Sequence, residues 1–155
     1  MDIKGKYNLE TSIGYSTQLL TQHLAERLIR KLLKRGIEMN IDEWIALVHI
    51  HDFEKQNQNQ LVKATNRNKT AVTRLVNDLE KKGWVERLED DNDRRNNHII
   101  LTEEGKSIFK TAISYAEDTV SDTTKDISDQ DYNTWKTVTE KMIYNAKSYD
   151  PDGKY

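Results

Sequence analysis

The sequence predicts a mainly α-helical fold that carries one small β-hairpin. Only one proline and six glycines occur in 155 residues, so long helices can run without interruption. Apolar residues recur at helical spacing along most of the chain, whereas residues 84–105 hold two short apolar runs around a charged loop. At this length we expect one domain, 1–155, with a core of its own.

Composition narrows the function classes before any motif is considered. The chain has no cysteine, which excludes disulfides and thiolate-bound metals, and its net charge of −2 gives no general affinity for nucleic acid. It begins without the apolar core of a signal peptide, and no apolar run reaches membrane-spanning length. We therefore expect a cytoplasmic protein without a membrane partner.

A long amphipathic helix is predicted near the N-terminus, within residues 8–36. Its apolar stripe, at a spacing of four, consists of Leu20, Leu24, Leu28 and Leu32, widened by Leu19, Ile29 and Leu33. Gly36 is expected to end the helix, because glycine readily adopts the left-handed conformation found at helix C-termini.

The second helix has a well-marked start. Asn40 and Glu43 have the spacing of a capping box. The expected buried side consists of Trp44, Leu47, Val48 and His51. The polar stretch 54–60 is interpreted as a turn between helices, and a short helix is predicted over QNQLVKAT.

The next helix, predicted over 69–82, has two distinct faces. Asn66 tolerates the left-handed conformation of a tight turn, and Asn68 is a natural N-cap. The expected core stripe is Val72, Leu75, Val76 and Leu79, and the opposite face carries Thr70, Thr73, Arg74 and Asn77. Acidic residues occur only toward the C-terminal end, at Asp78 and Glu80. A face without negative charge in its first turns fits an anionic partner.

Two strands around the loop EDDNDRR follow Gly83, and two further helices are predicted within 102–147. Thr102 and Ser128 are the expected N-caps of these helices. The loop is acidic first and basic afterwards. The loop is either a solvated turn or a segment that restricts an arginine to one conformation and directs its side chain toward an anion.

Helix, turn, helix and hairpin is the order of a winged helix-turn-helix. Here the sequence resembles the DNA-binding core of MarR-family transcription regulators, most specifically in KTAVTRLVNDLEKKGWVER and DDNDRRNNHIILTEEG. The resemblance covers nearly the whole chain. It implies an N-terminal dimerisation helix within 8–36, a winged helix-turn-helix over 40–101 and C-terminal dimerisation helices over 102–147. The turn departs from the family pattern at Asn66 and Arg67, and Arg67 is expected to point to solvent or to a phosphate.

By this resemblance the helix that begins at Asn68 is the recognition helix, which enters the major groove of double-stranded DNA. The residues expected at DNA are Asn68, Lys69, Thr70, Thr73, Arg74 and Asn77. Arg74 is expected to contact a guanine edge or a phosphate, with a solvated surface arginine as the alternative. Lys69 and the helix N-terminus are expected to meet the DNA backbone.

The resemblance also assigns the charged loop. In the family, an aspartate of the wing pairs with an arginine two residues later, and that arginine enters the minor groove. The matching residues are Asp93 and Arg95, and Arg94 is expected to meet a phosphate. Because Asp93 would restrict the rotamers of Arg95, less side-chain entropy would be lost on binding.

Charge makes a homodimer necessary for this function. Residues 67–95 hold eight basic and seven acidic side chains, a net charge of +1, which is weak for a DNA-binding protein. Affinity must then come from a few placed contacts in two copies, and the wide apolar stripes of the first and the last two helices supply area for pairing. A two-fold dimer would bind a pseudo-palindromic operator with half-sites about 34 Å apart.

Other functions are less well supported. A calcium loop beginning at Asp91 fails, because Asn96 and Thr102 stand where glycine and glutamate are required. We predict no catalytic residues and no cofactor, while a metal site between two chains stays open. The main alternative is a winged helix that binds protein instead of DNA. Since family members are commonly repressors relieved by a small ligand, the resemblance also implies a small-molecule effector, with Tyr15 and Trp44 as candidate liners of its cleft.

Overall fold

The computed structural model describes residues 8–10, 12–53, 56–89 and 97–148. Six helices and three short strands lie in these ranges. In chain order they are α1 (Ile13–Leu33), α2 (Ile41–Asp52), β1 (Gln56–Asn57), α3 (Gln58–Thr65), α4 (Lys69–Lys81), β2 (Val85–Glu89), β3 (Asn97–Leu101), α5 (Glu103–Thr123) and α6 (Asp129–Ser148). The predicted fold, mainly α-helical with a small β element, is confirmed. The chain divides into two compact units, Met1–Thr119 and Val120–Tyr155.

Local capping chemistry sets the helix ends, as predicted. The backbone N–H of Glu43 donates to Asn40 Oδ1 at 2.9 Å, and the N–H of Asn40 donates to Glu43 Oε2 at 2.8 Å, which completes the capping box of α2. Gly36 follows α1 with a φ of 77°, a value that favours glycine. At the start of α5, Thr102 Oγ1 accepts from the N–H of Gly105 at 3.0 Å.

One hydrophobic core in the first unit joins the helices to the sheet. Its largest fully buried side chains include Leu32 of α1, Leu47 of α2, Leu61 of α3, Leu79 of α4 and Ile99 of β3. Each of these residues comes from a different element, so burial of apolar area holds the five elements together.

The buried side of α2 differs in part from the prediction. Leu47 is buried as expected, but Ala46 and Ile50 are the other fully covered apolar residues. His51 was expected on the buried side, yet its side chain is 51% exposed. Its ring instead stacks on Phe109 of α5 with centroids 4.0 Å apart, so it covers the core from outside.

The sheet has three strands where the sequence predicted two. β3 lies in the centre, antiparallel to β2 on one side and to β1 on the other. Gln56 pairs with Ile99 and Asn57 with His98, within the stretch that was interpreted as a turn. That prediction is wrong because a two-residue polar strand has no apolar alternation to reveal it.

The second unit consists of the end of α5 and all of α6. Ser128 caps α6 as predicted, since its Oγ accepts from the N–H of Asp131 at 3.1 Å. α6 has no buried residue, and its large apolar side chains are 36–72% exposed: Tyr132, Trp135, Val138, Met142, Ile143 and Tyr144. Across the described residues, no helix combines the length and the apolar character that crossing a bilayer requires.

Candidate nucleic-acid interface

α3 and α4 form a helix-turn-helix whose turn is built by two asparagines. Asn66 ends α3 in the left-handed conformation, with φ 52° and ψ 34°. Asn68 caps α4, because its Oδ1 accepts from the N–H of Ala71 at 2.9 Å. Both roles were predicted from the sequence, since asparagine tolerates the left-handed region and satisfies helix N-termini.

α4 has one buried face and one exposed face. The predicted core stripe is confirmed, with Val72, Leu75, Val76 and Leu79 at most 9% exposed. The residues predicted for DNA contact lie away from this stripe: Asn68, Lys69, Thr70, Arg74 and Asn77 are exposed, and Thr73 is half-buried. The fold therefore brings all six to one accessible side of the helix.

Thr73 has a structural role that the sequence did not reveal. Its hydroxyl donates to the carbonyl of Lys69 at 2.8 Å and accepts from Gln58 Nε2 at 2.5 Å. The hydroxyl hydrogen is thus used within the protein, and Thr73 ties the start of α3 to α4. One acceptor lone pair and a methyl group remain for a partner.

Most basic side chains around α4 are paired with carboxylates. The ion pairs are Arg67–Asp42 at 2.8 Å, Lys81–Asp78 at 3.6 Å, Lys82–Glu43 at 2.7 Å and Arg87–Glu80. Arg67, expected to point to solvent or phosphate, is half exposed and turned toward the first turn of α2. Within the described part of 67–89, Lys69 and Arg74 are the basic residues that have no acidic partner. Among residues 67–89, the unpaired positive charge therefore lies in the first two turns of α4.

The Lys82–Glu43 pair fixes the orientation of α4. Glu43 is only 3% exposed, so its charge requires a partner. Lys82 Nζ also donates to the carbonyl of Glu38 at 2.7 Å and lies 4.7 Å from the ring centroid of Trp84. These contacts join the end of α4 to the start of α2.

An open depression of about 600 Å³ lies between the start of α2 and the exposed side of α4. Arg67, Thr70 and Arg74 line it, together with the carboxylates of Asp42 and Asp78. Because Asp42 is paired with Arg67, Arg74 is the cation in this depression that is free to meet an anion.

The wing is attached to α4 through Arg87. β2 and β3 are in register from Val85–Leu101 to Glu89–Asn97. Arg87 projects from β2, pairs with Glu80, and donates through Nη2 to Asn77 Oδ1 at 2.8 Å. No spacing pattern in the sequence predicts this contact.

The remaining predicted site residues belong to the loop that the sequence predicts between the two strands of the wing. Asp93, Arg94 and Arg95 lie outside the described residues, so their pairing and their place in the minor groove stay predictions. Trp44, a predicted liner of a ligand cleft, stacks on Phe109 with ring centroids 5.8 Å apart. Over the described ranges, no cluster of three or more His, Cys, Asp or Glu side chains is arranged to hold a metal ion.

Comparisons with known proteins agree with this arrangement. A sequence profile of the MarR family matches residues 39–96. The transcriptional repressor MprA of Escherichia coli (strain K12) is 28% identical over 97% of this chain and 90% of its own length. Apo MarR from E. coli superimposes with a TM-score of 0.71 at 23% identity, over 85% of this chain and 97% of its own. CouR from Rhodococcus jostii RHA1, solved with bound p-coumaroyl-CoA, gives 0.76 at 22% identity, over 88% and 95%.

Proposed function

We propose that this chain, which belongs to the MarR family of winged helix-turn-helix transcriptional regulators, is a repressor that binds a pseudo-palindromic operator as a homodimer. The observation that carries the proposal is the pair of uncompensated cations, Lys69 and Arg74, on the exposed face of α4. Lys69 lies at the N-terminus of α4, which itself attracts phosphate, and Arg74 lies in the next turn.

In this proposal α4 enters the major groove. Arg74 makes a bidentate contact to a guanine edge or clamps a phosphate, and Lys69 with Asn68 meets the DNA backbone. Thr70, Thr73 and Asn77 supply neutral hydrogen bonds along the same face. Such contacts select sequence, while the two cations supply attraction to phosphate.

The wing supplies the second set of contacts. Arg95 enters the minor groove beside the α4 site, Asp93 restricts its rotamers, and Arg94 binds a phosphate. A narrow, A·T-rich minor groove would attract Arg95 most strongly because its negative potential is enhanced.

A homodimer requires apolar surface through which two chains can pair. We propose that the helical segments 8–36 and 102–147 form the dimer interface. In the first unit, Ile13 and Leu20 of α1 are 59% and 36% exposed, and in the second unit the apolar face of α6 has no cover within the described residues. Several large apolar side chains left exposed along one helix, as on α6, are typical of an interaction site. A chromosomal operator also makes the cytoplasm the expected location.

A small-molecule effector completes the proposal. CouR was solved with p-coumaroyl-CoA, and BpsR from Bordetella bronchiseptica is described as regulated in its DNA binding by 6-hydroxynicotinic acid. We propose that a small ligand likewise weakens operator binding by this chain. The proposal includes no catalytic step and no cofactor.

Binding to labelled DNA from upstream of the protein's own coding region tests the function. Wild-type affinity should fall steeply between about 50 and 200 mM salt, because counterions are released from the phosphates that the protein contacts. Arg74→Ala should weaken binding by about tenfold, the loss of one good base or phosphate contact. Lys81→Ala, on the same helix but paired with Asp78, is the matched control and should have a smaller effect.

The same titration tests the alternative function, in which the winged helix binds protein instead of DNA. A winged helix that binds protein would show no sequence preference among DNA fragments, and Arg74→Ala and Lys81→Ala would then be indistinguishable. That result would refute the operator-binding proposal.

A further inference from the structure

We propose that Arg87 is a positioning residue: it locks the wing to the recognition helix and turns the side-chain amide of Asn77 so that its N–H groups face DNA. The inference rests on the proposed function and deepens it. It assigns a role to an arginine that would otherwise be counted among the phosphate-binding cations.

The geometry of Arg87 is that of a two-point clamp. One end of its guanidinium, Nη1, pairs with Glu80, and the other end, Nη2, donates to Asn77 Oδ1 at 2.8 Å. Positions 77 and 80 are neighbours one turn apart on α4. The planar guanidinium can hold both at once, so β2 is fixed in translation and in rotation against the second half of α4.

Burial distinguishes Arg87 from the cations expected at DNA. The side chains of Arg87 and Glu80 are 27% and 28% exposed, whereas Arg74 is exposed and has no acidic partner within the described residues. A partly desolvated pair that is also hydrogen-bonded to a third group is more strongly coupled than an exposed pair. Arg87 therefore acts within the protein, where it sets the position of β2 against α4.

The clamp also decides which way Asn77 faces. A guanidinium has donors only, so the amide of Asn77 must present its oxygen to Arg87. The amide nitrogen then lies on the other branch of an exposed side chain, with two N–H groups for an acceptor. In the major groove these acceptors are N7 and O6 of guanine, N7 of adenine and O4 of thymine, and phosphate oxygens lie beside them.

Replacing Glu80 distinguishes two possible roles of Arg87, a clamp within the protein or a direct contact to DNA. The two roles predict opposite changes in DNA affinity. If Arg87 bound phosphate directly, Glu80→Gln would release it and remove a negative charge, and DNA affinity would rise. If Arg87 is a clamp, the same change loosens the wing and affinity falls, by about fivefold for one weakened charged hydrogen bond. Asp78→Asn removes the same charge from the same helix without touching Arg87, and it should leave affinity unchanged or slightly higher. A rise in affinity with Glu80→Gln would overturn the proposal.

A second measurement tests the clamp without DNA. Side-chain NMR of the arginine Nε–H groups should give Arg87 an order parameter close to that of rigid backbone, and Arg74 a much lower one as the internal reference. Glu80→Gln should lower the order parameter of Arg87 and shift the side-chain amide signals of Asn77. Arg87→Lys keeps the charge pair but cannot reach both partners, so its DNA affinity should lie between those of wild type and Arg87→Ala.

The two proposals fail in distinguishable ways. Absence of specific DNA binding by the wild type would refute the regulator function while the NMR result still decides whether the clamp exists. A mobile Arg87 in a wild-type protein that binds its operator would refute the clamp alone.

Discussion

Replacing Gly105 with alanine should weaken the joint between the wing and α5. Gly105 lies in the first turn of α5, directly against the backbone of Trp84 at the base of the wing. A β-carbon at this position would be 1.8 Å from the carbonyl oxygen of Trp84 and 2.8 Å from its carbonyl carbon. Both are backbone atoms, so no side-chain rotation can relieve the overlap.

The cost follows from the contacts that must move. The N–H of Thr102 donates to the same Trp84 carbonyl at 3.1 Å, and Thr102 Oγ1 donates to the carbonyl of Gly83 at 2.5 Å. To bring the new methyl group to van der Waals distance, α5 must shift by more than an ångström, which strains these bonds. Overpacking against rigid atoms together with one weakened hydrogen bond should destabilise the protein by about 3 kcal/mol.

Thermal unfolding at fixed protein concentration measures this effect. For a chain of this size, the loss corresponds to a Tm lower by roughly 6–12 °C. Gly14→Ala is the matched control, because nothing lies within 4 Å of a β-carbon at that helical position. There alanine should leave Tm unchanged or raise it slightly, since it favours the helix by up to about 1 kcal/mol. Equal Tm values for wild type and Gly105→Ala would refute the close packing of α5 on the wing base.

Three further changes test other parts of the molecule. Asn66→Val should lower stability by about 1–2 kcal/mol, because the residue is held at φ 52°, whereas Asn66→Gly should be tolerated; urea unfolding compares the two. Glu43→Gln keeps the cap of α2 but leaves Lys82 without its carboxylate, so the free energy of unfolding should fall by about 2 kcal/mol in the same assay. An unchanged free energy of unfolding would mean that the ion pair is energetically neutral. Trp135→Ala combined with Ile143→Ala should shift the protein toward monomer in sedimentation velocity by at least about 30-fold in dimer affinity, and an unchanged dimer would exclude this face of α6 from the interface.

Local features of this protein were predictable from the sequence because their causes lie within a few residues. Three helices are capped by a side chain that contacts the residue three positions further on, and this spacing is visible in the sequence. The pairs are Asn40 with Glu43, Asn68 with Ala71, and Ser128 with Asp131. The core stripe of α4 follows from its helical period. The exposed positions of its polar face, including Arg74, follow from the same period.

Tertiary structure decided the features whose partners lie far apart in the chain. β1 was missed because Gln56 and Asn57 become a strand only by pairing with Ile99 and His98. Likewise, no spacing rule links Arg67 to Asp42, so a sum of charges over 67–95 treats paired and unpaired cations as equal.

The sequence by itself therefore determined which residues face outward on α4. The folded structure determined which of the basic residues are paired with a carboxylate and which, such as Arg74, have no acidic partner within the described residues. The physical reason is range: helical period and capping act over three or four residues, whereas ion pairing and close packing depend on distances that only the folded chain brings below 4 Å.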